Sequence, residues 1–93
     1  MASASARHIL VESEQACSKL KSEIAGGKDF GAAAAEHSKC PSGQRGGDLG
    51  SFKPGQMVPE FDRVVFSAPL NEVQGPVKTQ FGWHLIEVTR RSE

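Results

Sequence analysis

Gly43–Phe61 reads GQRGGDLGSFKPGQMVPEF. Its closely spaced glycines permit tight turns, which lead into a short strand expected around Leu49–Phe52. Lys53-Pro54-Gly55 then forms a turn. Pro59 suits the first turn of a helix, where its missing N–H costs nothing. In that helix Phe61, Val64 and Val65 supply the apolar face. Gly46-Gly47 is no phosphate cradle, because neither a GxGxxG pattern nor a P-loop with its lysine and Ser/Thr is present.

Upstream, Arg7–Val11 (RHILV) is an apolar, β-branched run that reads as a strand. With a period of two, His8 and Leu10 share one face and Ile9 and Val11 the other. Ser13 is placed to cap a helix, and Glu14 sits favourably in its first turn. Ala16, Leu20 and Ile24 give that helix an apolar stripe, and Gly26-Gly27 ends it. Asp29 is placed to cap a second helix, which runs through Ala32–Ala35 and stops near His37. Phe30, Ala33, Ala34 and His37 share one of its faces. Cys40-Pro41-Ser42-Gly43 breaks the helical pattern. Downstream, Ala68-Pro69 and Gly75-Pro76 punctuate the chain. Val77–Thr79 reads as a short strand, Gln80-Phe81-Gly82 as a turn, and Trp83–Thr89 as the last strand, with His84, Ile86 and Val88 on one face. The order is β-α-α-β-α-β-β. No βαβ series recurs, so the class is α+β, an antiparallel sheet with helices packed around it.

The chain has 93 residues, enough for one domain over 1–93 in which 1–6 form a short lead-in. Lys plus Arg and Asp plus Glu stand at 11 each. That balance removes the electrostatic case for nucleic acid or an anionic membrane as the main partner. The two cysteines, Cys17 and Cys40, are too few for a disulfide-stapled secreted scaffold and are expected to be reduced. Met1–Ala6 lacks the apolar core of a signal peptide, and no apolar run approaches the ~20 residues of a membrane span. A soluble, cytoplasmic monomer is expected.

His8 and His84 each share a strand face with apolar neighbours. Burial there disfavours the charged imidazole, so both are expected to be neutral near pH 7. From periodicity they read equally as core histidines satisfied by hydrogen bonds. Cys40, before a proline at a helix-to-loop break, reads as a packed thiol. A cysteine hydrolase lacks any local signature around it. A metal site from Cys40, His8, His37 and His84 has no C-x-x-C or H-x-x-x-H spacing behind it. Met57 and Phe61, four apart, read as core of the third helix.

Three segments taken together go further. HILV (His8–Val11), GGDLGSFKPGQMVPEF (Gly46–Phe61) and GPVKTQFGWHLIEV (Gly75–Val88) resemble, in order and spacing, the parvulin family of peptidyl-prolyl cis/trans isomerases. The likeness runs from about Arg7 to Arg90 and is nearest to the small stand-alone bacterial members. It implies a four-stranded antiparallel sheet whose first and last strands are neighbours, bringing His8 and His84 together. It implies catalytic roles for His8, Cys40, Thr79 and His84, and a proline pocket made by Leu49, Met57 and Phe61 with Phe81 as a wall. It implies no cofactor and no metal. The implied partners are proline-containing peptides and unfolded chains. One departure stands out. Phosphate-dependent members carry a basic cluster after the first strand, where this chain has Glu12-Ser13-Glu14, and Phe81 stands where they have a small polar residue. A phosphorylated residue before proline is therefore not expected to be favoured. The competing function is a chaperone-like module that holds proline-containing segments with negligible turnover.

Overall fold

In a computed structural model the described residues are 3–92. β1 (Ser3–Val11) is followed by α1 (Glu14–Ala25), α2 (Phe30–His37), a 3-10 turn (Pro41–Arg45), β2 (Asp48–Phe52), α3 (Pro59–Val65), β3 (Val73–Thr79) and β4 (Gly82–Ser92). The strands form one antiparallel sheet in the order β2-β1-β4-β3. The α+β class, the expected element order and the neighbouring first and last strands are all present, with the 3-10 turn as the added element. No helix of the described residues is long and apolar enough to cross a membrane.

The helix starts are fixed by the expected residues. The Ser13 side chain accepts from the Ala16 amide and the Asp29 carboxylate from the Ala32 amide. Each satisfies one of the N–H groups that a first helical turn leaves without an intrahelical partner. Pro59 opens α3. The stripe of α1 differs from expectation: Ala16 is exposed, and Cys17 with Leu20 is buried instead, with Ile24 packed beside them. A spacing of three then four follows the 3.6-residue repeat more closely than a run of fours. His37, at the end of α2, is exposed rather than part of its buried face.

Strand lengths also differ. Residues 3–6, expected as a lead-in, belong to β1, with Ala4 and Ala6 in the core; Met1 and Ala2 lie outside the described residues. Small residues carry little strand propensity, but β1 sits between β2 and β4, and packing decides there. β3 begins at Val73, so Gly75-Pro76 lies within it; the register with β4 skips from Gln74 to Val77 around that pair. β3 is an edge strand, where proline's missing donor is tolerated.

Two clusters of buried side chains cover the two faces of the sheet. Ile9, Val11 and Leu85 pack under α1 and α2 with Cys17, Leu20, Phe30, Ala33 and Ala34. Ala4, Ala6, Ile86 and Val88 pack under α3 with Phe52, Phe61 and Val65. His8, Leu10 and His84 continue this second face beside the first turn of α3, whose Phe61 lies against both histidines. The chain after the 3-10 turn runs tightly against β1: the His8 amide donates to the Gly47 carbonyl at 2.9 Å. Gly47 has φ +85°, and a Cβ there would stand 2.4 Å from the His8 carbonyl oxygen. Gly47→Ala is therefore expected to lose at least ~2 kcal/mol through backbone strain and displacement of His8. Denaturant unfolding measures this; a loss below ~0.5 kcal/mol, the range of neutral surface changes, would contradict the close approach.

Candidate active site

His8 on β1 and His84 on β4 are both buried and lie diagonally across the strand pair, two residues apart in the register, where Leu10 pairs with His84 and His8 with Ile86. Their Nδ1 atoms are 3.0 Å apart. The rings are nearly parallel, at 16° and 5.2 Å between centroids. Phe61 presents its ring edge-on to both, at 5.6 Å from His8 and 5.9 Å from His84. Burial, followed by the neighbouring His84, pushes the His8 pKa down to about 4. Burial lowers that of His84 as well. Both imidazoles are neutral at pH 7, so each carries one donor and one acceptor nitrogen.

The network around them fixes which nitrogen is which. His84 Nε2 is 2.7 Å from Thr79 Oγ1, which accepts from the Phe81 amide at 3.2 Å. His8 Nε2 is 3.2 Å from Ser42 Oγ, which donates to Cys40 Sγ at 3.3 Å. One direction satisfies every contact with its stronger donors. The Thr79 hydroxyl donates to His84 Nε2, and His84 Nδ1–H donates to His8 Nδ1. His8 Nε2–H then donates to Ser42, and Ser42 to Cys40. In the reverse direction Ser42 would donate to His8, and the last contact would rest on the S–H of Cys40, a weak donor.

Cys40 is brought here by the end of α2. The Leu10 amide donates to Ser38 Oγ, and the Lys39 amide donates to the Leu10 carbonyl at 2.8 Å. These bonds bind the Ser38–Cys40 segment to β1. The other thiol, Cys17, is buried under α1, and burial pushes its pKa up to about 11, which makes it inert.

Above the histidines lies a hollow of about 340 Å³ lined by His8, Leu10, Cys40, Pro41, Leu49, Met57, Val58, Phe61, Phe81 and His84, with Lys39 at its edge. The sequence-derived candidates His8, Cys40, Leu49, Met57, Phe61, Phe81 and His84 therefore meet in one place. Thr79 does not line the hollow but bonds to His84 beneath it. Phe81 stands 64% exposed, a rim rather than a buried wall. Among the described residues Lys39 is the single charged side chain along the lining, and its Nζ lies 3.5 Å from the Glu12 carboxylate. Neither Glu12 nor Glu14 of the acidic stretch after β1 lines it. Among the described residues no group of three or more His, Cys, Asp or Glu is arranged to hold a metal ion.

Sequence reasoning missed Ser42. It is buried and joins Cys40 to His8, yet its only signal is a serine in a Cys-Pro-Ser-Gly break, where turn formation is a sufficient explanation. It also missed Leu10, Pro41 and Val58, apolar residues whose part in the lining follows only from the folded shape.

A family model for the rotamase, or PPIC-type PPIase, domain matches residues 5–90. The foldase protein PrsA of Geobacillus kaustophilus is 43% identical over 89 residues, 95% of this chain and 32% of that protein. The chaperone SurA of Legionella pneumophila is 42% identical over 97 aligned positions, 94% of this chain and 23% of that protein. The chain thus spans about a third or less of the curated relatives it matches. Among solved structures, NmPin, the parvulin of Nitrosopumilus maritimus, superposes with a TM-score of 0.86 at 31% identity, covering 97% of this chain and 98% of that one.

The histidine pair sets a pH dependence of stability. A histidine whose pKa is lower folded than unfolded binds more protons when unfolded, so stability rises with pH across the gap. For His8 the gap runs from 6.5 down to about 4. Stability is expected to be level above about pH 7 and to fall below 6.5, by up to ~1.4 kcal/mol per pH unit for each histidine involved. A second proton would also set N–H against N–H across the Nδ1 pair. Denaturant midpoints from pH 4.5 to 8 measure this, and His8→Ala should flatten the profile while lowering the plateau by ~1–3 kcal/mol for the partner left unsatisfied. An unchanged profile in that variant would exclude the pair as its source.

Proposed function

This chain belongs to the family of PPIC-type PPIase (rotamase) domains, and from that premise we propose that it is a peptidyl-prolyl cis/trans isomerase acting on exposed X–Pro bonds of flexible or unfolded chains. The observation that carries the reading is the apolar hollow floored by two neutral, hydrogen-bonded imidazoles. It is of a size that holds a small ring and its flanking backbone.

The chemistry asks little else. Rotation about the peptide bond has a barrier of ~18–20 kcal/mol, because the amide loses its resonance on the way. Unaided X–Pro isomerisation takes tens to hundreds of seconds. No bond is cleaved and no proton is transferred, so neither an activated nucleophile nor an acid–base pair is required. Leu49, Met57 and Phe61 grip the prolyl ring and exclude water, which disfavours the polar planar amide relative to the twisted one. Cys40, held by Ser42, stands where a polar group can answer the charge shifting at the carbonyl. His8, His84 and Thr79 keep the floor in shape. A barrier lower by ~5 kcal/mol gives a rate gain of roughly several thousandfold. A cytoplasmic setting for this work belongs to the same proposal.

A second reading, a module that holds proline-containing segments without turning them over, is favoured by the exposed Phe81 at the rim, a surface for loose apolar capture. A coupled isomerisation assay on a short proline peptide separates the two: the enzyme accelerates the slow phase catalytically, whereas the holder binds and leaves the rate unchanged.

In that assay Met57→Ala and Phe61→Ala should each lower kcat/KM at least tenfold, about 1.4 kcal/mol of transition-state stabilisation. Undiminished turnover in the folded variants would remove both residues from the pocket. Matched peptides with Leu, Glu and phosphoserine before proline test selectivity. Glu12 already neutralises Lys39, so neither acidic peptide should exceed the leucine one. A clear preference for phosphoserine would overturn the phosphate-independent assignment.

A further inference from the structure

We propose that Asp62 is a positioning residue that fixes the Met57 wall of the groove, acting through the amide of Gly55. The inference rests on the reading of the groove as the proline site. Asp62 follows Phe61 on α3 and takes no part in the lining. Its Oδ2 accepts from the Gly55 N–H at 3.0 Å. Its Oδ1 is buried and accepts no hydrogen bond. Withdrawing a carboxylate oxygen from water without a partner is unfavourable. A side chain serving only as a soluble turn residue would face solvent with both oxygens. The orientation is understandable if the bond to Gly55 is what holds it.

The loop on the other side of that bond is a small closed unit. The Gln56 amide donates to the Lys53 carbonyl at 3.2 Å, and the Lys53 amide donates to Gln56 Oε1 at 2.6 Å. These bonds stiffen the turn internally but do not set where it stands. The Asp62–Gly55 bond does, because it joins the turn to α3. Met57 and Val58, the next residues along the chain, line the groove. Phe61, one residue before Asp62, lies against both histidines. One carboxylate therefore ties the Met57 wall to the same helical turn that carries Phe61 against the histidine floor. A hydrogen bond to an ionised acceptor is stronger than a neutral one, which suits it to that task.

Releasing the turn should loosen the hold on the prolyl ring, which the planar and twisted states share, while Leu49 and Phe61 still exclude water from the amide, so the change appears in KM rather than kcat. Asp62→Ala is expected to raise KM at least threefold with kcat within twofold. It should also speed hydrogen exchange at the Gly55 amide at least tenfold, while amides of β1 and β4 keep their protection. Asp62→Asn retains an acceptor oxygen and should restore KM to within twofold of wild type. The proposal is overturned if Asp62→Ala leaves KM and Gly55 exchange unchanged. It is equally overturned if exchange rises throughout the sheet, which marks a general structural role, or if Asp62→Asn behaves like Asp62→Ala. Should the wild-type protein prove to bind proline peptides without turnover, the isomerase reading fails by itself. The same variants then test the latch through the peptide Kd and Gly55 exchange.

Discussion

Everything in the candidate site depends on the antiparallel pairing of β1 with β4. His8 and His84 are 76 positions apart, and only that pairing sets their Nδ1 atoms 3.0 Å from each other. The pairing also settles which faces the rest of the chain must cover. α1 and α2 close over Ile9, Val11 and Leu85, while α3 closes over Ala6, Ile86 and Val88. At the other end of that second face the first turn of α3 brings Phe61 against His8 and His84, and these residues line an open hollow with Leu10.

A buried polar network of this kind is favourable only when every member is satisfied, since the low local dielectric strengthens made bonds and penalises unmade ones alike. The chain from Thr79 through both histidines to Ser42 and Cys40 meets that condition, with its stronger donors used when it runs from Thr79 toward Cys40. It needs both imidazoles neutral, and burial supplies that. It also needs the two backbones held close, and glycine supplies that on both sides. Gly47 lies under His8, and at Gly75, with φ +135°, a Cβ would come within 2.6 Å of the His84 carbonyl oxygen. Any side chain at either position would press on the strand that presents a histidine.

Much of this was legible in the sequence, and what was not has identifiable causes. Helix starts at Ser13 and Asp29 were readable because capping is local chemistry between residues three apart, and the start at Pro59 because proline suits a first helical turn. The alternation in RHILV assigned His8 and Leu10 to one face, and the burial of His8 and His84 followed from their apolar companions. The beginning of β1 was hidden, since Ser3–Ala6 gains its strand conformation from flanking partners distant in sequence. Ser42 was hidden for a similar reason: a serine in a turn explains itself locally, and its bond to His8 spans 34 positions. That the two histidines meet at all was supplied by the likeness to a family and not by their spacing. The carboxylate of Asp62 lay outside both sources, because its meaning arises from one bond to a loop amide and one buried oxygen without a partner.

A floor made of neutral histidines has a consequence that a purely apolar floor would lack. Filling the same space with hydrocarbon would take from Thr79 Oγ1 and Ser42 Oγ their histidine partners, each loss at a cost of ~1–3 kcal/mol. An ionised pair would satisfy those hydroxyls but would bring charge beneath an amide whose rotation is helped by a poorly polar surround. Neutral imidazoles meet both requirements: they carry a hydrogen bond at each nitrogen and add no net charge to the groove. The arrangement also explains why a histidine pair, ordinarily a sign of proton transfer, fits a reaction that moves no proton. Its contribution in the proposed isomerase is to keep a polar, fully bonded layer immediately below an apolar one, so that Leu49, Met57 and Phe61 present hydrocarbon to the prolyl ring while the strands beneath them stay in register.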